Sequence, residues 1–272
     1  MTGPVGVGIG WRPEIAGFVA GLPGLPFVEV IAESVPAAGP LPAELTALRE
    51  RGVAVVPHGV RLSLGSAEPV DSARIAHLVA VAELTDAALV SEHIAFVRAG
   101  GLEAGHLLPL PRSREAVTAV CANVARAQAE LPVPIALEPI AALFDWPDDE
   151  LDEAAFLTEI LDRTGAHLLL DIANVYANAR NRGADPLDLL DRLPLERVAY
   201  AHVAGGAEQD GYYHDTHTSP VSRPVLDLVG ELCARHRPPA LLLERDGNYP
   251  PAAALCAELD ALAAVGGLPV IT

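Results

Sequence analysis

The 272-residue sequence contains no lysine: its 18 basic residues are all arginine, set against 36 acidic ones, for a net charge of −18. A Schiff-base lysine, a phosphate-loop lysine and a lysine general base are thereby excluded. Aromatic residues make up only 4%, and the single methionine stands at position 1. The three cysteines, Cys121, Cys233 and Cys256, are odd in number, widely spaced and set in helix-like segments. They read as packed free thiols in a reducing compartment, not as a disulfide set or a zinc knuckle. Nucleic-acid backbones and anionic membranes select clustered positive charge, so the acidic balance argues against both as partners. No run reaches the roughly 18 apolar residues of a membrane span, and MTGPVGVGIGW lacks the basic-then-apolar order of a signal peptide. The expectation is a soluble, cytoplasmic protein.

What is present is a regular alternation of short aliphatic or β-branched runs with longer segments of helical period. The runs cover 5–10, 27–32, 53–57, 88–91, 135–137, 167–170, 198–202 and 240–243, and the helical stretches 13–21, 42–51, 71–84, 112–131, 150–164, 186–193, 221–237 and 251–265. Asp71 and Ser113 stand at N-cap positions, and Pro42, Pro186 and Pro251 in first turns. Eight β-then-α units averaging about 34 residues suit right-handed crossovers, and strands without polar alternation suit a parallel sheet covered by helices. The prediction is an α/β fold, a closed (β/α)₈ TIM barrel forming a single domain over 1–272, with a doubly wound open sheet as the alternative.

A barrel of this kind carries its site at the C-terminal ends of its strands. Read in order, those ends are Trp11 and Arg12, Glu29 with Glu33, His58, His93, Glu138, Asp171, His202 and Glu244. Any one of them has an ordinary structural use, such as a helix cap or an arginine partner. Together, His58, His93, His202, Glu138, Asp171 and Glu244, joined by Asp215 and His217 of the HDTH loop, would be a costly crowd of desolvated charge unless a cation compensated it. Four carboxylates suffice for two or three divalent ions, and oxygen plus imidazole without thiolate suits iron, manganese or zinc. Asn174, three residues beyond Asp171, is a weaker candidate for a ligand or for an amide that fixes its loop. Arg12 and Arg245 could anchor a substrate carboxylate or neutralise the acids of the site, and Tyr212 and Tyr213 could line a substrate groove or pack their loop. His106 and His214 stay undecided, His77 and His236 read as helix-surface residues, and His167 lies at the opposite end of its strand.

An ordered set of motifs spans nearly the whole chain: GIGWR, PHGVRLSLGS, SEHIAF, LLDIANVYANARNRGADP, AHVAGG, DTHTSPV and LLLERDGNYP. This set resembles the bacterial multinuclear non-haem iron-dependent oxidases, formerly a domain of unknown function, which include the methanobactin-synthesis oxidase. The resemblance implies a (β/α)₈ barrel holding two or three iron ions of mixed Fe(II)/Fe(III) state. The ligands it implies are His58, His93, Glu138, Asp171, His202, Asp215, His217 and Glu244, with Asn174 at a position that varies between ligand and non-ligand types. It further implies dioxygen as co-substrate, a ribosomally synthesised precursor peptide modified commonly at cysteine, and a small partner protein that presents the leader. The sequence departs from the family pattern in three places: Glu138-Pro139 replaces Glu-Asn, DTH continues as TSPVSRP, and SEHIAF replaces a Trp ending.

The leading expectation is therefore an iron-dependent oxidase acting on a peptide side chain. No appended leader-binding domain is visible in the sequence, so peptide recognition would need a separate protein or an unusual mode. An endonuclease IV-like hydrolase uses similar ligands but needs a cationic groove. A xylose-isomerase-like enzyme sits on a similar barrel but usually adds a lysine. A degenerate barrel that carries a peptide or metal would leave the ligands without a reaction.

Overall fold

The structure, a computed structural model, describes residues 3–272; Met1 and Thr2, the start of the N-terminal segment read above, lie outside the described residues. Eight parallel strands close into a barrel: Gly6–Gly10, Phe27–Ile31, Ala54–Gly59, Val90–His93, Ile135–Glu138, His167–Asp171, Val198–Val203 and Ala240–Leu243. Each pairs with its neighbour in sequence, and the first closes on the last through Gly6 to Ile9 against Ala240 to Leu243, which removes the open-sheet alternative. These are the eight runs of the hydrophobic pattern, their ends moved by at most two residues.

The helices cover the outside. In Arg223–Arg235 the residues Val225, Leu228, Val229 and Leu232 fall on one face and are buried, each worth roughly 1.5–3 kcal/mol against exposure. Asp71 accepts from the backbone N–H of Ala73 and Ser113 from that of Ala116, so both N-caps form where the sequence places them. Pro186 occupies the first turn of its helix, whereas Pro42 and Pro251 sit one residue earlier, as N-caps. Among the described residues no helix is long and apolar enough to cross a membrane. All three cysteines are free and lie on outer helices, and burial raises the thiol pKa of Cys121 and Cys233.

Three elements depart from the sequence reading. A helix, Ile172–Arg182, follows the sixth strand directly where a loop was expected. Its inward positions include Asn174 and Asn178, both buried, so the apolar stripe that would announce it is interrupted. Two antiparallel hairpins, Phe96–Ala99 with Leu102–Leu108 and Ala207–Gln209 with Tyr212–His214, rise from the ends of the fourth and seventh strands. The Gly100-Gly101 pair at positive φ turns the first of them.

Side-chain alternation sets the barrel interior. Its lower layer is apolar: Phe27, Val56, Leu89, Ala136, Leu169, Tyr200 and Leu242 form one buried cluster. Phe27 fills the space left by Gly8, where a Cβ would lie 2.5 Å from its ring. Two residues further along the same strands, the inward positions become Glu29, His58, Ser91, Glu138, Asp171, His202 and Glu244, all buried.

Candidate metal centre

Glu138 is the hub of this polar layer. One of its oxygens lies 3.5 Å from Nε2 of His58 and 3.4 Å from Nε2 of His93, and the other 3.6 Å from Nδ1 of His202. His202 Nδ1 also lies 3.0 Å from Glu244. Asp171 caps the following helix by accepting from the backbone N–H of Asn174 with Oδ1, which leaves Oδ2 turned to the mouth, 3.9 Å from Nε2 of His217. The loop carrying Asp215 and His217 completes the ring: His217 Nε2 is 2.5 Å from Asp215, and its Nδ1 3.4 Å from Glu244 and 3.1 Å from Asp246. His217 holds a left-handed backbone, φ 52°, its carbonyl accepting from the N–H of Asp246. Such a conformation in a non-glycine residue costs of order 1–3 kcal/mol and is a mark of functional loops. Gly205 lets this loop approach, since a Cβ there would lie 2.1 Å from the carbonyl oxygen of Ser219.

The residues expected at the mouth are thus brought together: His58, His93, Glu138, Asp171, His202, Asp215, His217 and Glu244 surround one end of the barrel. Their ligand atoms form overlapping triads, His58–His93–Glu138, Glu138–Asp171–His202 and Asp171–His217–Glu244, each within 4.8 Å. A fourth triad, Glu29–His202–Glu244, includes a residue that the sequence reading noted at its strand end without counting it as a ligand. A cavity of about 300 Å³ opens above them, with Asn174 and the apolar Ile31, Val60, Leu107, Ile140 and Ala141 in its wall.

The electrostatics follow from burying so many carboxylates together. Burial pulls His93 down, but Glu138 and Glu92 outweigh it and push it up to about 9. Burial, Asp215 and Glu138 raise Asp171 to about 8. Glu138 is opposed by burial, yet His93, His202 and His58 bring it down to about 2. His202 and His217 rise well above the ordinary imidazole value against burial, through Glu29 and Glu244 in the first case and Glu244 and Asp215 in the second. His58 moves the other way because burial dominates. Protons on His93, His202 and His217 therefore supply positive charge that a bound cation would replace.

The donor set fits a metal. Glu138 Oε2, Asp171 Oδ2, Asn174 Oδ1, His202 Nδ1 and Asp215 Oδ1 are all buried without a hydrogen-bond partner. Orphaned buried polar atoms cost about 1–3 kcal/mol each, and so many around one cavity share a natural partner in cations. The donors are carboxylate oxygen and imidazole nitrogen, a combination for iron, manganese or zinc.

The remaining candidates separate. Arg12 is buried and pairs with Glu244 at 3.2 Å and Asp246 at 2.6 Å, so it neutralises acids of the mouth. Arg245 corrects an expectation: alternation turns it outward, where it is 1% exposed and pairs with Glu258 of the last helix, out of reach of a substrate in the mouth. Tyr213 packs against Tyr176 and its hydroxyl accepts from the N–H of Gly206, a loop-holding use, while Tyr212 is exposed on the hairpin. Asn174 donates to the carbonyl of Pro139. His106 lines a neighbouring cavity under the first hairpin that shares Val60 and Leu107 with the mouth. His214 ends the second hairpin. Sequence reasoning passed over Ser91, Glu92, Tyr200 and Asp246. Glu92 faces outward between two inward residues and accepts from the N–H groups of Leu62 and His93, and Glu33 accepts from that of Val60, so both carboxylates anchor the loop after the third strand. The signal available for Ser91 and Tyr200 was the strand parity that places them inside.

Solved structures share the fold. D-psicose 3-epimerase from Clostridium cellulolyticum H10 superposes with a TM-score of 0.65 at 13% identity, over 96% of this chain and 99% of that one. Endonuclease IV from Thermus thermophilus gives 0.62 at 18% identity, over 96% and 98%. Closer in sequence are UPF0276 proteins. That of Streptomyces avermitilis is 54% identical over 267 residues, 96% of this chain, which spans 55% of that relative's length. That of Caulobacter vibrioides NA1000 is 38% identical over 94% of this chain and 92% of its own, and that of Bordetella bronchiseptica 42% identical over 96% and 92%. Residues 6–266 match the family described as "RiPP precursor modification enzyme MbnB/TglH/ChrH", RiPPs being ribosomally made, post-translationally modified peptides, and the chain belongs to that family.

Proposed function

We propose that this chain is a multinuclear non-haem iron-dependent oxidase that uses dioxygen to modify a side chain, in the first instance a cysteine, of a ribosomally synthesised precursor peptide. The observation that carries this reading is the run of overlapping oxygen-and-imidazole triads sharing Glu138 and Asp171 beside an open cavity. His58, His93, Glu138, Asp171, His202, Asp215, His217 and Glu244 would hold two or three ions, with Asn174 within reach of the Asp171 subsite. Bound iron would supply one-electron steps and the reduction of dioxygen.

The protein's own groups would do the rest. The cavity of about 300 Å³ would admit a side chain and its neighbours, with Ile31, Val60, Leu107, Ile140 and Ala141 as apolar contacts in an otherwise polar wall. Arg12, already engaged by Glu244 and Asp246, would balance the acids on one side. No cysteine of the chain lines the mouth, so a thiolate at the site would come from the peptide. A small separate protein would present the leader.

Anaerobic reconstitution with ferrous iron, followed by oxygen-electrode and mass-spectrometric measurement with a co-expressed Cys-bearing candidate peptide, tests the reading. The expected result is ~2–3 equivalents of iron, oxygen consumption and a mass change in the peptide. A protein that binds only zinc and consumes no dioxygen, or that nicks abasic-site DNA or interconverts a ketose and an aldose, would overturn it.

A further inference from the structure

Beneath the mouth, Glu29, Ser91 and Tyr200 are each completely buried. They link two of the candidate ligands. His58 Nδ1 lies 2.8 Å from Ser91 Oγ, Ser91 Oγ 2.8 Å from the Tyr200 hydroxyl, and that hydroxyl 2.5 Å from Glu29 Oε2. On the far side, His202 Nε2 lies 2.8 Å from the same Glu29 oxygen.

The direction of every bond in this chain follows from counting protons. The Tyr200 hydroxyl donates its single proton to Glu29 Oε2. The Tyr200 oxygen must then accept from Ser91. With its own proton used, Ser91 must accept from His58, which places a proton on His58 Nδ1 and leaves Nε2 as the nitrogen facing Glu138. The second donor to Glu29 is His202, whose proton sits on Nε2 and whose Nδ1 is left facing Glu138 and Glu244. His93 is fixed separately, its Nδ1 lying 3.2 Å from the carbonyl oxygen of Gly59.

We propose that Glu29, Tyr200 and Ser91 are positioning residues that choose the metal-facing nitrogen of His58 and of His202, opposite nitrogens on the two rings, and bind the two subsites into one hydrogen-bonded unit. The proposal rests on the metal-centre reading above. Imidazole ligands need their second nitrogen held to keep ring orientation and basicity. Here one carboxylate serves two rings: His202 directly and His58 through two hydroxyls. The Glu29 oxygen nearest His202 is the one that receives both hydrogen bonds, which leaves the other oxygen of Glu29 buried without a partner. The arrangement makes the two subsites interdependent, since deleting the Tyr200 hydroxyl alters the support of both rings while leaving in place the Tyr200 ring, which lies edge-on to His202.

The test uses diamagnetic Zn(II) and spectroscopically visible Co(II) as probe ions. Nitrogen-15 spectra of the histidine-labelled, Zn(II)-loaded protein are expected to show the proton on Nδ1 of His58 and on Nε2 of His202. Tyr200→Phe, which deletes only the hydroxyl, is expected to weaken Co(II) binding about 10-fold and shift its visible bands, with an unchanged far-UV circular dichroism spectrum. Ser91→Ala serves if that variant does not fold, and should alter the His58 signal and leave that of His202. A proton on Nδ1 of His202, or unchanged Co(II) affinity and bands in the folded variants, overturns the relay. If the unsubstituted protein binds neither ion, the metal-centre reading itself fails and the relay falls with it.

Discussion

Replacing Glu138 by glutamine removes one charge from the hub of the site with almost no change of shape. In the chelator-treated protein, His93 is raised from 6.5 to about 9, an interval equivalent to about 3 kcal/mol of preference for the protonated state. Glu138 is lowered from 4.5 to about 2 by His93, His202 and His58 together, so its share from His93 is not added a second time. Glu92 retains a share of the His93 effect, and the expected loss of stability in E138Q is about 2–3 kcal/mol. Because the His93 pKa is raised on folding, its contribution is fully present below about 6.5 and is lost as pH rises through about 9. Because the Glu138 pKa is depressed, its contribution is present above about 4.5 and is lost as pH falls through about 2. The gap between the two proteins should therefore be widest between about 4.5 and 6.5 and should narrow above about 9, where His202, also raised and 3.6 Å from Glu138, keeps its share. Urea unfolding of both metal-free proteins at pH 5.5, 7.5 and 10, followed by circular dichroism, measures it. A gap as wide at pH 10 as at pH 5.5, or none at pH 5.5, would refute the reasoning.

Three further outcomes follow from the same geometry. Metal binding at neutral pH should release protons, because His93, His202 and His217 all hold theirs above the ordinary imidazole value; calorimetry of Mn(II) binding in buffers of different ionisation enthalpy reads the number directly. Gly205→Ala should push the loop of Asp215 and His217 away from the barrel, since the added Cβ would meet the Ser219 carbonyl oxygen at 2.1 Å; elemental analysis is expected to show about one metal equivalent lost, with the His58–His93–Glu138 subsite still filled. Arg12→Gln leaves Glu244 and Asp246 without their guanidinium and should cost about 3 kcal/mol in the metal-free protein; the loss should shrink on metal loading, as shown by thermal unfolding with and without Mn(II).

Much of the architecture was legible because a parallel barrel writes itself in period: each strand is an uninterrupted apolar run and each helix carries a stripe. The helix Ile172–Arg182 escaped for the converse reason. Asn174 and Asn178 take inward positions there because that face borders the polar mouth and the loop after Glu138, so hydrophobic period fails where the site begins. The hairpins escaped because Leu102–Leu108 is largely exposed and carries no apolar run, and the other three strands are four residues or fewer, although Gly100-Gly101 was a readable turn signal.

Sequence alone determined the order of the eight barrel strands and of the covering helices other than Ile172–Arg182, the barrel they close, and the collection of imidazoles and carboxylates at the strand ends. Those features depend on local periodicity and on the rule that a parallel strand delivers its last residues to one face. Tertiary structure decided which partners those residues meet: Glu244 meets His202 in the mouth while Arg245 pairs outside it with Glu258, and Glu29 meets His202 and Tyr200. It also decided which nitrogen each histidine presents and that Asp171 both caps a helix and faces His217. Such choices depend on register and on hydrogen bonds between residues as far apart in the chain as Glu29 and His202, which no local pattern encodes.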